Sequence, residues 1–298
     1  MLEPIFVNIN GKITDQKNAQ ISVFDRGFLF GDSIYEVTYT EDGCILFLDE
    51  HLDRLETSAN FIDFNYSFTR EFLISEILKT LKTLNMPKAY IRLIITRGES
   101  SISLDPTQQT SPNFIIIVKA LPEHPIHHYT KGLHLTISSI ERNSIKSTNP
   151  RAKSGNYLNN VMALNDAKKR NADDAIMINS QGQITEGTTF NVWMIKNNKV
   201  YTPSLESGLL KGITRDKVLE ICNKNKIKFE ETTLRDKDFL NADEMFITSS
   251  TRGIMPIYKL DNKVYGDSID QWPMTQKLIG HYITLKDKYK NHKRYCYL

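Results

Sequence analysis

The run Leu121-Pro122-Glu123-His124-Pro125-Ile126-His127-His128-Tyr129-Thr130-Lys131 fits neither a helical nor a strand period, because its prolines and histidines interrupt both. Such a segment between two patterned regions marks a domain boundary. It divides the 298 residues into a smaller N-terminal part, 1–121, a linker, 122–131, and a larger C-terminal part, 132–298. Length points the same way, since the chain exceeds the usual single-domain size.

Upstream of the linker, strand and helix patterns alternate. Ile5-Phe6-Val7-Asn8-Ile9 ahead of Asn10-Gly11 predicts a strand entering a tight hairpin, and 34–40 and 44–48 flank Glu41-Asp42-Gly43 as a second one. Leu52, Leu55, Ala59 and Ile62 recur at three and four, which predicts a helix over 49–61. A second helix follows over 70–84, then β-branched strands at 90–96 and 114–118. Downstream the pattern is richer in strands, at 133–139, 175–178, 183–184, 191–195, 199–201 and 245–248. Helices are expected at 157–169 and 215–225, with a basic amphipathic helix at 273–289. The fold class expected is α+β, in two domains with a cleft between them.

Composition narrows the function classes. The chain is 40% hydrophobic and 24% charged, as in an ordinary soluble globular protein. A net charge of +3 is too small to argue for nucleic acid or a membrane as the main partner. The basic end 286–294 is short, and a solvated helix end explains it. Cys44, Cys222 and Cys296 are scattered and odd in number, which suits a reducing compartment better than a disulfide framework. No apolar run approaches the roughly 18 residues of a membrane span. Met1-Leu2-Glu3-Pro4 has no basic or apolar leader character, so a cytoplasmic protein is expected. His124, His127 and His128 lack a regular scaffold to converge their rings on a metal, and none is expected.

Two segments suit an anion. Lys211-Gly212-Ile213-Thr214-Arg215-Asp216 puts a glycine and a threonine where a helix starts, so that unpaired N–H groups and the positive end of the helix dipole point outward. Thr248-Ser249-Ser250-Thr251-Arg252-Gly253 follows a strand with hydroxyl residues and a closing glycine, which form a donor-rich turn. Taken singly, the first is as well explained by an N-cap and the second by a polar loop. Lys153 lies among small residues in Arg151-Ala152-Lys153-Ser154-Gly155-Asn156-Tyr157-Leu158. A lysine can capture an aldehyde when its amine is partly desolvated, although most lysines are solvated surface charges.

Together these segments resemble the class IV, fold-type IV enzymes that use pyridoxal 5′-phosphate (PLP). The resemblance is carried by Lys153 through Asn160, by Ile184-Thr185-Glu186-Gly187-Thr188-Thr189-Phe190-Asn191-Val192, and by Leu210-Lys211-Gly212-Ile213-Thr214-Arg215. It extends upstream to Asp25-Arg26-Gly27-Phe28-Leu29-Phe30-Gly31-Asp32 and Asp49-Glu50-His51-Leu52-Asp53-Arg54-Leu55, and downstream to Asp243 through Thr251. Branched-chain aminotransferases, D-amino acid transaminases and 4-amino-4-deoxychorismate lyases share this group. The resemblance implies a small N-terminal α/β domain, a larger strand-rich C-terminal α/β domain, and the cofactor in the cleft. It makes Lys153 the lysine that anchors the cofactor and shuttles the proton. Glu186 is implied to face the pyridine nitrogen and Tyr157 the phenolic oxygen. Arg54, Ile213, Thr214, Ser250 and Thr251 are implied to hold the phosphate. Tyr35, Phe30, Arg92, Arg252 and Gly253 are the residues expected at the substrate. A homodimer is implied as well.

The substrate is less sharply marked. Tyr90-Ile91-Arg92 and Ser103-Leu104-Asp105-Pro106 resemble segments of branched-chain enzymes, and the loop after Arg97-Gly98 lacks the Arg-x-His pair of the D-specific ones. Ser33-Ile34-Tyr35-Glu36 is nearer the D-specific pattern, and Glu186-Gly187-Thr188-Thr189-Phe190-Asn191 departs from the usual branched-chain ending. Transamination of a branched-chain or other hydrophobic L-amino acid, with a 2-oxo acid such as 2-oxoglutarate as acceptor, is the expectation. D-amino acid transamination and the lyase reaction are the alternatives. A PLP-fold protein without turnover is disfavoured by Lys153, Tyr157 and Glu186.

Overall fold

The computed structural model describes residues 4–108, 111–292 and 294–298, so Met1-Leu2-Glu3 lie outside the described residues. The chain divides into two compact units. One comprises Met1–Pro122, Ala152–Asn156 and Lys288–Leu298; the other comprises Glu123–Arg151 and Tyr157–Asp287. Two segments expected in the C-terminal part, 152–156 and 288–298, thus cluster with the first unit. The reason is backbone pairing, since Ser154 bridges to Ile34 and Cys296 to Cys44. The stretch expected as a linker also carries a short helix, Ile126–Thr130.

The first unit contains β1 (Ile5–Ile9), β2 (Lys12–Asp15), α1 (Arg26–Phe30), β3 (Ser33–Glu41), β4 (Cys44–Ile45), α2 (Leu48–Phe61), α3 (Arg70–Leu84), β5 (Ala89–Thr96) and β6 (Asn113–Ala120). Its six strands run in the order β2-β1-β6-β5-β3-β4, every neighbour antiparallel. Asn10 and Gly11 both take positive φ, 50° and 91°, as the two-residue turn between β1 and β2 requires. Alternation along β5 buries Ala89, Ile91, Leu93 and Ile95 against Leu52 and Leu55 of α2 and Leu73, Ile77 and Leu81 of α3. Helix α3 begins where Thr69 accepts the Phe72 N–H and ends at Asn85 in the left-handed region.

The end of the chain extends the β3–β4 hairpin. Ile45 N–H donates to Tyr295 O at 3.0 Å and Tyr297 N–H to Gly43 O at 3.1 Å, and Tyr295 joins the core under α2 and α3. Cys44 and Cys296 are joined as a disulfide across this pairing. The expectation that the cysteines form no disulfide framework is therefore corrected for this pair. A sequence separation of 252 residues hides the pair, and only the return of the tail makes the two strand neighbours.

The second unit opens with α4 (Ile126–Thr130), β7 (Leu133–Ile137), α5 (Leu158–Lys169), β8 (Asp174–Ile178), β9 (Ile184–Gly187), β10 (Asn191–Lys196) and β11 (Lys199–Pro203). It continues with α6 (Ile213–Lys224), β12 (Phe229–Thr232), α7 (Asp236–Leu240), β13 (Glu244–Ser249), β14 (Gly253–Leu260), β15 (Lys263–Val264) and α8 (Pro273–Asn291), whose residues from Lys288 on fall in the first unit. The sheet order is β12-β11-β10-β13-β14-β7-β8-β9, with β15 beside β14. Parallel pairs at β11–β12, β14–β7 and β7–β8 stand among antiparallel ones. Nearly unbroken apolar strands such as Met245-Phe246-Ile247 are buried on both faces. Glu244 begins α8 by accepting the N–H groups of Met274 (3.0 Å) and Thr275 (2.8 Å). Among the described residues no helix is long and apolar enough to cross a membrane.

Candidate active site

In the first unit the chemistry gathers around the start of β3. The segment 153–155 lies along the edge of this strand. Lys153 O accepts the Tyr35 N–H at 2.9 Å, Gly155 N–H donates to Ser33 O at 2.9 Å, and Lys153 N–H donates to Ser58 Oγ at 3.0 Å. The approach is close enough that a Cβ on Gly155 would stand 2.4 Å from Ser33 Oγ, so a glycine is needed. Clamped in this way, Lys153 projects its Nζ to 4.5 Å from the centre of the Tyr35 ring, over which Arg92 Cζ also sits at 4.0 Å. Tyr35 is only 5% exposed. The ring is thus a buried aromatic platform shared by two cationic side chains.

Successive strand residues face opposite ways, so Glu36 points toward α2 while Tyr35 points toward Lys153. Arg54 grips Glu36 with two bonds of 2.7 Å, from Nε and Nη2. His51 Nδ1 lies 2.6 Å from Oε2, the oxygen that Arg54 Nη2 also reaches. Burial pushes the Glu36 carboxyl up, but Arg54 and then His51 outweigh it and hold the carboxyl at about 2. Burial also lowers the His51 imidazole, against the pull of Glu36, so the ring is neutral and donates its Nδ1 proton to an ionised Glu36. Phe30 closes α1 with its ring 5.2 Å from Arg26 Cζ.

The second unit holds the remaining expected residues. Glu186, on β9, is 5% exposed. Its Oε1 accepts from Arg142 Nε at 2.9 Å and its Oε2 from the Leu210 N–H at 3.1 Å. Leu210 O accepts from Asn191 Nδ2 at 2.9 Å. Helix α6 begins at Ile213 and Thr214 behind Gly212, whose N-cap position offers no side-chain acceptor to the first-turn N–H groups. A Cβ on Gly212 would fall 1.9 Å from Asn191 Oδ1.

Asn191 pairs with Thr248 across β10 and β13, and Ser249 with Gly253 across β13 and β14. Both anion-suited segments therefore stand at the same end of one antiparallel ribbon. Ser250 and Thr251 occupy the turn, and Gly253 takes a φ of 67° to close it. Arg252 reaches Asp174 at 3.4 Å and Thr189 Oγ1 at 3.3 Å. Tyr157 is the residue just before α5.

Each unit thus holds residues whose chemistry suits PLP: in the first a lysine held by its backbone, in the second a buried carboxylate with both oxygens directed and a glycine-led helix start. Sequence reasoning gave no role to Ser58, Glu36, His51, Arg142 or Asn191. A glutamate inside a strand whose other residues before Glu41 are uncharged, and a histidine and an arginine three apart on the facing helix, were the available signals for the Glu36 cluster.

Comparison with known proteins shows the family. The model of the class IV amino-transferase family matches residues 33–260. A putative branched-chain-amino-acid aminotransferase of Methanocaldococcus jannaschii is 35% identical over 286 residues, covering 96% of this chain and 95% of its own. A D-alanine aminotransferase of Bacillus licheniformis is 34% identical over 267 residues, 87% of this chain and 90% of its own. The fold is shared with the PLP form of a branched-chain amino acid aminotransferase from Thermobaculum terrenum, with a TM-score of 0.85, 23% identity, and coverage of 99% of this chain and 97% of that one. The chain belongs to the class IV aminotransferase family.

Proposed function

We propose that the chain binds PLP through Lys153 and moves an amino group between a branched-chain or other hydrophobic L-amino acid and a 2-oxo acid such as 2-oxoglutarate. The observation that carries this is the clamp on Lys153, which fixes its backbone at Ser58 and Tyr35 and leaves its amine against a buried ring. When bound, the cofactor supplies an electron sink for the carbon that loses its proton. Lys153 anchors it and carries that proton. Glu186 holds the proton of the ring nitrogen, and Tyr157 donates to the phenolic oxygen. Arg54, the first turn of α6 with Ile213 and Thr214, and the turn Ser250–Thr251 hold the phosphate. Tyr35, Phe30, Arg92, Arg252 and Gly253 contact the substrate.

The Methanocaldococcus relative supports a branched-chain substrate, while the Bacillus relative and Tyr35 favour D-alanine as the second reading. The loop after Arg97-Gly98 speaks against the second, because it lacks the Arg-x-His pair of the D-specific enzymes. Borohydride reduction of the PLP-loaded protein, followed by peptide mapping, should label Lys153. Single amino acids added to the holoenzyme should change the cofactor absorbance with L-leucine or L-isoleucine. A response to D-alanine alone selects the D-specific reading, and pyruvate release from aminodeoxychorismate selects the lyase.

A homodimer is part of the proposal. Val23, Phe24, Phe28, Ile102 and Leu104 are exposed apolar residues of the first unit, and Leu158, Val161 and Met162 of the second. Light scattering should return twice the chain mass. The cytoplasm is the proposed compartment. There the Cys44–Cys296 bond must survive cellular thiols, which alkylation at the moment of lysis will read.

A further inference from the structure

We infer that Arg142 is a positioning residue that fixes the direction of Glu186, and through it the state of the cofactor's ring nitrogen. The inference rests on the PLP reading given above. Arg142 follows β7, and its N–H donates to Ile178 O on β8 at 2.8 Å. Its side chain reaches Glu186 on β9, on the far side of that strand. The pair is nearly closed to water, with side-chain exposures of 11% for Arg142 and 7% for Glu186.

The guanidinium is itself held. Its Nη1 donates to Asn159 Oδ1 at 3.3 Å, the same oxygen accepts the Asn143 N–H at 3.2 Å, and Asn159 Nδ2 donates to Glu141 O at 2.8 Å. Asn159 stands in the first turn of α5, two residues after Tyr157. The path from α5 through Asn159, Arg142 and Glu186 to the Leu210 N–H therefore joins two of the segments assigned to the cofactor.

A carboxylate this buried stays ionised only beside a compensating charge. Arginine supplies that charge without titrating, and its planar fork sets a direction that a lysine ammonium does not. An ionised carboxylate has about four lone-pair directions. Arg142 and Leu210 take one on each oxygen and orient the others. Held on both oxygens, the carboxylate cannot turn away from the direction in which the ring nitrogen would meet it.

The test compares wild type with Arg142→Met, Arg142→Lys, Glu186→Gln and the double variant R142M/E186Q, all loaded with PLP. The readouts are the PLP dissociation constant, the ¹⁵N chemical shift of ring-labelled cofactor, and the melting temperature of each protein without and with PLP. R142M should bind PLP roughly ten- to a hundredfold more weakly, comparable to the loss when the supporting partner of a metal-ligating side chain is removed. Its ¹⁵N shift should move toward that of E186Q. R142K should fall between wild type and R142M and provides the reading if R142M does not fold. Adding R142M to E186Q should change neither readout further. A wild-type dissociation constant and ¹⁵N shift in R142M or R142K would overturn the inference, as would independent, multiplying losses in the double variant. A fall in melting temperature alone would make the pair purely structural and overturn it too. Wild-type protein that binds no PLP and takes no borohydride label at Lys153 would sink the underlying reading instead, and the inference with it.

Discussion

Breaking the Cys44–Cys296 bond should be the largest single loss of stability open to a conservative substitution in this chain. The perturbation is Cys44→Ser with Cys296→Ser, and reduction of the wild type is its chemical equivalent. The bond closes a loop of 252 residues, and the chain-entropy relation assigns such a loop about 5 kcal/mol of denatured-state constraint. The folded tail does not depend on the bond alone. Tyr295 is buried in the core, and its hydroxyl donates to Asp49 at 2.7 Å. Backbone pairing at Ile45 and Tyr297 continues through the same segment. The native state therefore keeps its form, and the loss appears in the unfolding equilibrium. Engineered and natural bridges deliver roughly 2–5 kcal/mol, so about 3–5 kcal/mol is expected here. That corresponds to a fall in melting temperature of roughly 10 °C. The assay is guanidinium and thermal unfolding of the wild type with and without reductant, beside the double serine variant. Thiol titration of the denatured protein should find one free thiol before reduction, that of Cys222, and all three cysteines after it. Three free thiols without reductant, or a midpoint that reductant and the double variant leave in place, would refute the reasoning.

Acid should weaken the fold in two steps of one sign. His51 is held below its usual range by burial, so its contribution is complete above about pH 6.5 and declines as the pH falls. Glu36, held at about 2, contributes stability above about pH 4.5 that is lost as the pH falls toward that value, amounting to about 3 kcal/mol. Unfolding curves from pH 7 to pH 2 should show both losses, and Glu36→Gln should abolish the lower one while destabilising the neutral protein. Gly212→Ala should weaken PLP binding more than it lowers the melting temperature. Its φ of −75° suits alanine, but the new Cβ meets Asn191 Oδ1 at 1.9 Å. Binding calorimetry beside thermal unfolding measures both. Cys222 is buried and burial pushes its thiol up to about 11, so native protein at pH 8 should resist alkylation there, as mass spectrometry of the labelled peptides will read.

Local patterns were legible where one interaction range set the conformation. Helix α3 follows its apolar spacing from the Thr69 cap to Asn85, and the hairpin after β1 follows from Asn10-Gly11. Strand β14 was not legible, because Pro256 argues against an interior strand. The proline lies opposite Phe246 of β13, one residue before β7 joins the strand at Ile257. The short helices α1, α4 and α7 carry too few residues for a period to show.

Sequence alone determined most of the periodic elements and the family motifs that single out Lys153, Glu186 and the Gly212-Ile213-Thr214 turn, since each is written in adjacent residues. Tertiary structure alone decided what those residues rest on. It brought Cys296 to Cys44, set Glu36 between Arg54 and His51, and placed Arg142 behind Glu186. Charge pairs and a covalent bond of this kind join residues through space, and burial rather than spacing gives them their strength, so no local pattern records them.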